Sequence, residues 1–292
     1  SIEGGTIGTA QGGSGRSGGY GIRSNQELTI EGGEIKQATG GDATGESGTG
    51  GTGIGSNGTL TIAGGEIQQT TGGNATGTFG TGGSGIGSNG KLTISGGEIQ
   101  QATGGDATGE SGTGGSGIRS NDMLTISGGE IKQATGGEAT GSTGTGGHGI
   151  YSSFVKILGG IITKAKGGNA TDTNSGDGGH GISSDEALTI QNGNIETAQG
   201  GTSANGTGGS GIRSGSMLTI SDNATITNAT GGSGRSGGHG LFGSVMKILS
   251  STIGTAKGGE GKTSGGNGIY GVGKLTISDN AAITNATGGN AT

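Results

Sequence analysis

Residues 85–117 read GIGSNGKLTISGGEIQQATGGDATGESGTGGSG, and this stretch decides the fold. Its first half holds three short alternations of apolar and polar residues. The first runs from Gly85 to Ser88 around Ile86, the second from Lys91 to Ser95 with Leu92 and Ile94 on one face, and the third from Glu98 to Ala102 with Ile99 inward. Alternation over two to five positions, bounded by Ser-Asn-Gly and Gly-Gly, predicts β-strands joined by tight turns. Helix is disfavoured throughout. Gly96 and Gly97 supply backbone angles that other residues reach only at a cost, so a sharp corner is expected between the second and third strands.

The same phrase recurs along the whole chain. Taking the first aliphatic residue of each L-T-I triplet as a marker gives Leu28, Leu60, Leu92, Leu124, Val155, Leu188, Leu218, Met246 and Leu275, with a partial copy entering at Ile2. The spacing between markers is 28 to 33 residues. A fixed period in this range means stacked supersecondary units, a solenoid, in which no single copy can bury its own apolar face. The expected fold is therefore all-β, a single-stranded parallel β-helix of about nine coils, with residues 1–292 as one continuous domain. Each coil contributes three short strands to three parallel sheets, and Ile86, Leu92, Ile94 and Ile99 form the core by stacking on their counterparts.

Length variation falls mostly in one place. Between residues 104–117 (GGDATGESGTGGSG) and residues 231–240 (GGSGRSGGHG) the flanking strands are kept while the glycine loop shrinks. Insertions in a solenoid go to one exposed corner, so the glycine loop is expected there, exposed and flexible. A smaller variation occurs at the Gly-Gly corner, where LTISDNATI and LTISDNAAI each carry one residue more than LTISGGEI. A competing arrangement has two narrow coils per repeat, with the glycine loop itself forming strands, but that loop holds almost nothing aliphatic to bury.

Composition narrows the function classes. Only 25% of residues are hydrophobic, 83 are glycine and none is proline, so neither a conventional globular core nor collagen fits. Regular return of Leu and Ile argues against disorder. A net charge of −6 with no Lys/Arg run argues against nucleic acid and against anionic membrane surfaces. No apolar stretch approaches the ~20 residues that cross a bilayer, so membrane insertion is not expected. The absence of cysteine is neutral, because stacking makes disulfides unnecessary. The sequence starts without Met and is cut in mid-repeat at both ends, which reads as a processed or partial piece.

The combination of G-I-x-S, L-T-I and G-G-x-I resembles the right-handed parallel β-helix repeats of bacterial surface and secreted proteins, among them autotransporter passengers and glycine-rich surface proteins of anaerobic bacteria. The resemblance covers essentially the whole chain. It implies an extracellular or cell-surface setting and a structural or adhesive role, and it carries over no catalytic residue, since no lyase or hydrolase motif is present to receive one. The fold itself hosts adhesins, toxins, tailspikes and polysaccharide lyases alike.

Several residue columns are candidate sites. Glu34, Glu66, Glu98 and Glu130 recur in successive coils, and stacked carboxylates at about 4.8 Å can recruit a cation such as Ca²⁺. The plainer reading is a solvated face with Lys36 and Lys132 relieving the repulsion, so no cofactor is assigned. Gln37, Gln69, Gln101 and Gln133 are expected to form an amide ladder, and Asn25, Asn57, Asn89 and Asn121 a turn ladder. His148, His180 and His239 each precede a strand start. The first two lie in adjacent coils but lack a third ligand, so they read as turn residues and not as a metal site. Arg23, Arg119 and Arg213 share a register several coils apart, which gives no evident anion clamp.

Asp172, Asp177, Asp185 and Glu186 form the densest acidic group, placed where glycine loops leave them mobile, whereas a catalytic carboxylate needs a rigid, desolvated setting. N-x-T triplets start at Asn57, Asn74, Asn169, Asn205, Asn223, Asn228, Asn285 and Asn290 and would be glycan acceptors in a eukaryotic source. The column Thr29, Thr61, Thr93 and Thr125 raises an ice-binding reading, but a lone column lacks the paired T-x-T rank.

Copies two to five are nearly one sentence repeated, and no place breaks the pattern with convergent chemistry. The expectation is a rod, not a reaction: a structural or adhesive extracellular element. Its unpaired end strands favour self-association, a homo-oligomer or a filament stacked end to end. The alternative is a carbohydrate-binding or polysaccharide-cleaving β-helix, so a glycan or host-surface ligand is the second partner to consider. Aromatics make up only 2% of the chain, which counts against that alternative.

Overall fold

The computed structural model describes residues 1–171 and 174–292. Among the described residues there is no helix, and every strand pair is parallel. The nine marker residues stand in one register: Leu28 pairs with Leu60, Leu60 with Leu92, Leu92 with Leu124, and so on through Val155, Leu188, Leu218 and Met246 to Leu275. One repeat is thus one turn of a β-solenoid of about nine turns. Ile86, Leu92, Ile94 and Ile99 are all buried within a single aliphatic core that runs the length of the stack.

In residues 85–117 the strands are Ile86–Ser88, Leu92–Ile94 and Glu98–Thr103. The expected separation into three parallel sheets does not hold. The first two strands of each coil share one sheet, because in two coils the turn between them straightens into a continuous strand, Ile118–Ile126 and Ile150–Ile157. The Gly-Gly corner behaves as its chemistry requires. Its second glycine takes a positive φ in successive coils, 79° at Gly33, 82° at Gly65 and 77° at Gly97. Where the corner carries the extra residue, Asp222 and Asn223 take up positive φ instead, at 54° and 60°.

The glycine loop departs most from expectation. Its tip is exposed, as at Asp42, Thr44 and Glu46, but its Gly-Gly pairs are buried. Each repeat carries two Gly-Gly pairs, one after the third strand and one before the next first strand, and the two pairs meet across a narrow waist. Their backbones form a zigzag ladder along the axis: the N–H of Gly51 donates to the Gly41 carbonyl, Gly73 to Gly51, and Gly83 to Gly73, each at 2.8 Å. A Cβ on Gly83 would lie 1.9 Å from the Gly51 oxygen, and one on Gly51 1.8 Å from the Gly19 oxygen. No other residue fits so close a backbone approach.

Beyond the waist the loop closes a second, smaller lobe around a column of alanines. Ala43, Ala75, Ala107 and Ala139 are fully buried and bridge one another from coil to coil. The competing picture of two narrow coils per repeat captured the existence of this lobe, but the stacking register keeps one coil per repeat. A methyl column serves as core here because the lobe is too thin for anything longer.

Two side-chain ladders tie the coils together. The serine of G-I-x-S is buried and donates to a carbonyl of the preceding coil: Ser56 to Gln26 at 2.9 Å, Ser120 to Gly90 at 2.8 Å and Ser214 to Glu186 at 2.7 Å. In the smaller lobe an Asx side chain accepts the N–H of its successor, from Asn74 to Asp42 at 2.7 Å and from Asp106 to Asn74 at 2.8 Å. These ladders give the buried serines and the backbone groups they meet their hydrogen-bond partners.

Candidate functional site

The waist leaves a straight groove between the two lobes. One side of it carries the residue before each G-I pair, in order Tyr20, Thr52, Ser84, Ser116, His148, His180, Ser210, His239 and Asn267. One wall carries the variable position of G-I-x-S: Arg23, Gly55, Gly87, Arg119, Tyr151, Ser183, Arg213, Phe242 and Tyr270, paired in sequence from coil to coil. The opposite wall presents a column of threonines bridged in register, Thr49, Thr81, Thr113 and Thr145. A chain with few aromatics therefore concentrates all three tyrosines, all three histidines and one of its three phenylalanines along one line.

The arginines and rings are interlocked. The guanidinium of Arg23 lies 5.0 Å from the Tyr20 ring centre, Arg119 5.6 Å from Tyr151, and Arg213 5.9 Å from Phe242. These are cation–π distances. His148 and His180 stack at 5.1 Å and 7° from parallel, and His239 packs on Phe242 and Tyr270. Arg23, Arg119 and Arg213 recur at every third coil, and the coils between them are filled by rings and small residues.

The histidines do not lie in turns: each sits in irregular backbone just ahead of a strand start and bonds the next coil. Nδ1 of His148 accepts the N–H of His180, Nδ1 of His180 that of Ser210, and Nδ1 of His239 that of Asn267, at 2.8–2.9 Å. Burial pushes the His148 pKa down to about 4, with Arg213 and Arg119 adding to the effect and Asp185 opposing it. His180 is also held well below the ordinary histidine range, by burial first and by the neighbouring His148 and Arg213 next. Each ring is thus neutral at pH 7 and accepts at Nδ1.

Two cavities lie end to end in the groove and share Arg119. One of about 110 Å³ is lined by Tyr20, Thr49, Ser84, Gly87, Asn89 and Arg119, the other of about 210 Å³ by Thr113, Arg119, Thr145, His148 and Tyr151. The Nε of Arg119 is buried without a hydrogen-bond partner, and so is the Oγ of Ser183.

The columns named from sequence stack in register but act differently from one another. The Glu34, Glu66 and Glu98 carboxylates each take a side chain from the following coil: Gln68 donates to Glu34 at 2.6 Å, Gln100 to Glu66, and Lys132 pairs with Glu98. Lys36 lies 3.9 Å from Glu34, and Glu130 pairs with Glu98 in the backbone register. The amide bonds between coils come from Gln68 and Gln100, one residue ahead of the expected column. Gln101 and Gln133 donate instead to Thr103 and Thr135 two residues on in their own coils, while Gln37, Gln69 and Gln101 share one register.

In the asparagine column Asn121 donates to Asn89 at 3.1 Å; Asn25, Asn57 and Asn89 lie in bends, whereas Asn121 falls within the continuous strand Ile118–Ile126, so the expected turn ladder does not run through all four. None of these four asparagines adopts the left-handed backbone that Asn tolerates. The threonines Thr29, Thr61, Thr93 and Thr125 form a single file. Of the acidic group, Asp172 lies outside the described residues. The rest is exposed, and Asp177 accepts the N–H of Thr207 at 2.6 Å, Asp185 accepts the hydroxyl of Tyr151, and the Glu186 backbone carbonyl accepts from Ser214.

The groove was missed because the columns were read down single motifs. Aligning the two positions that flank G-I across all copies is the signal that finds it. Comparison with protein families, with characterised proteins and with solved structures finds no match to this chain.

Proposed function

We propose that this chain is a structural and adhesive rod of the extracellular space or cell surface, non-enzymatic, that presents a continuous side groove to its surroundings. The unbroken register from Leu28 to Leu275 carries the reading, because a uniform stack holds its two ends at a fixed distance. Nine coils at about 4.8 Å give a length on the order of 45 Å. The carboxylates support the non-enzymatic part, since Glu34, Glu66, Glu98 and Asp185 are each committed to a neighbouring side chain. No helix among the described residues is long and apolar enough to cross a membrane.

Self-association end to end is part of the proposal. The parallel L-T-I pairing that joins each coil to the next, from Leu28 to Leu275, is the contact such stacking would repeat between chains. Small-angle scattering and electron microscopy test both parts. A rod with length increments matching whole chains is expected, whereas a compact particle that stays monomeric at high concentration overturns the reading.

A second reading, a carbohydrate-binding β-helix, is favoured by one observation: the placement of nearly every ring-bearing side chain along the groove. A glycan screen tests it, with saturable binding to one polysaccharide as the supporting result.

A further inference from the structure

The groove's chemistry narrows what would lie in it, if the carbohydrate-binding reading on which this inference rests is right. A ligand must be elongated, because the two cavities lie end to end along the solenoid axis from Tyr20 to Tyr151. It must offer flat apolar faces to the rings of Tyr20, Tyr151 and Phe242, and hydroxyls to the threonine wall. It must also bring anions. Arg23, Arg119 and Arg213 stand three coils apart, about 14 Å at the ordinary strand spacing, and a guanidinium pairs best with a carboxylate through its planar fork.

The strongest single indication is at Arg119. Its Nε is buried and unpartnered, and its side chain borders both groove cavities. The Nε itself is closed off from a ligand, but Arg119 is only half-buried, and it is the remainder of its side chain that the groove presents. The equivalent positions on the N-terminal side are Gly87, beside Thr52 and Ser84, and Gly55, which the Tyr20 ring covers. Beside this stretch the Tyr151 hydroxyl occupies one oxygen of Asp185.

We infer that the groove binds a linear, uronate-bearing polysaccharide, with Arg119 as the central carboxylate contact and Tyr20, Tyr151 and Phe242 as stacking platforms. Arg119→Gln isolates the contact without threatening the fold, because the same position is Gly, Tyr, Ser or Phe in other coils.

The test is titration of the full chain, wild type and Arg119→Gln, with alginate as the uronate polymer and mannan as its neutral counterpart, in EDTA at low salt. Circular dichroism melts of both proteins serve as the folding control. The expected result is saturable alginate binding at least tenfold tighter than mannan binding, weakened at least tenfold by Arg119→Gln at an unchanged melting temperature. Equal affinity for the two polymers overturns the uronate inference and leaves the carbohydrate-binding reading standing. Alginate binding that Arg119→Gln leaves intact overturns the assignment to the groove. Binding to neither polymer overturns the uronate inference and counts against the reading beneath it.

Discussion

The imidazole of His148 accepts the backbone N–H of His180 at Nδ1, 2.9 Å away, while the two rings stack 5.1 Å apart. This bond requires an unprotonated Nδ1, and burial keeps it so by lowering the His148 pKa from 6.5 to about 4. Between those values the unfolded chain binds a proton that the folded chain does not. Stability therefore rises with pH across the window from about 4 to 6.5, is fully present above it, and is lost as pH falls through it. The melting temperature is expected to fall by several degrees from pH 7.5 to pH 4.5. Replacing His148, His180 and His239 together by Ser, the residue that fills the same column at Ser84, Ser116 and Ser210, should flatten most of that dependence. Thermal melts of both proteins over this range decide it, and equal slopes would contradict the histidine origin.

Waist glycines should be the least replaceable residues in the chain. A Cβ at Gly83 would sit 1.9 Å from the Gly51 carbonyl oxygen, and both partners are backbone, so nothing can swing aside. Gly83→Ala is expected to cost about 3 kcal/mol or more. Gly8→Ala is the control: it lies at an exposed position of the strand Thr6–Gln11, away from the waist, and nothing lies within 4 Å of its Cβ position, so a change within about 0.5 kcal/mol is expected. Urea unfolding of the two variants measures the contrast.

That contrast also explains what could be read from sequence. Leu92 and Ile94 announce a strand because their period of two has a direct geometric meaning, and the Gly96–Gly97 corner is legible because a tight turn needs a residue that tolerates positive φ. Gly83 and Gly51 carry no such mark. They are glycine because two backbones separated by a lobe approach each other, a tertiary fact that reads locally as flexibility. The candidate site was hidden for a related reason: Arg119 and Tyr151 belong to neighbouring coils and look like scattered exceptions until stacking places them side by side.

The serine ladder gives a sharper test of burial than the aliphatic core does. Ser120 is fully buried, and its Oγ donates to the Gly90 carbonyl of the preceding coil at 2.8 Å while accepting the N–H of Asp122 at 3.3 Å. Ser120→Ala keeps the volume nearly constant but strands both groups. The expected loss is about 1–3 kcal/mol. Ser120→Thr keeps the hydroxyl but adds a methyl where there is no space, so it should not restore stability fully. Denaturant midpoints for both variants check this, and an unchanged Ser120→Ala midpoint would mean that the ladder contributes nothing.

Tyr151 supplies the last prediction, at the alkaline end. Its hydroxyl donates to Asp185, and burial first, then that bond and the carboxylate's charge, push its pKa up to about 12 from 10.0, with Arg119 and Arg213 pulling the other way. A raised acid pKa means that the folded chain keeps a proton which the unfolded chain gives up. Stability from this group is therefore present below pH 10 and declines as pH climbs from about 10 to 12. Absorbance titration of the phenolate should show a component ionising near 12 that Tyr151→Phe removes. Asp185→Asn should move that component down only part of the way, because the leading cause, removal of the ring from water, survives the substitution. A full return to 10 in Asp185→Asn would instead make the carboxylate the main cause, and the groove at this point would be wetter than the packing of His148 against Tyr151 implies.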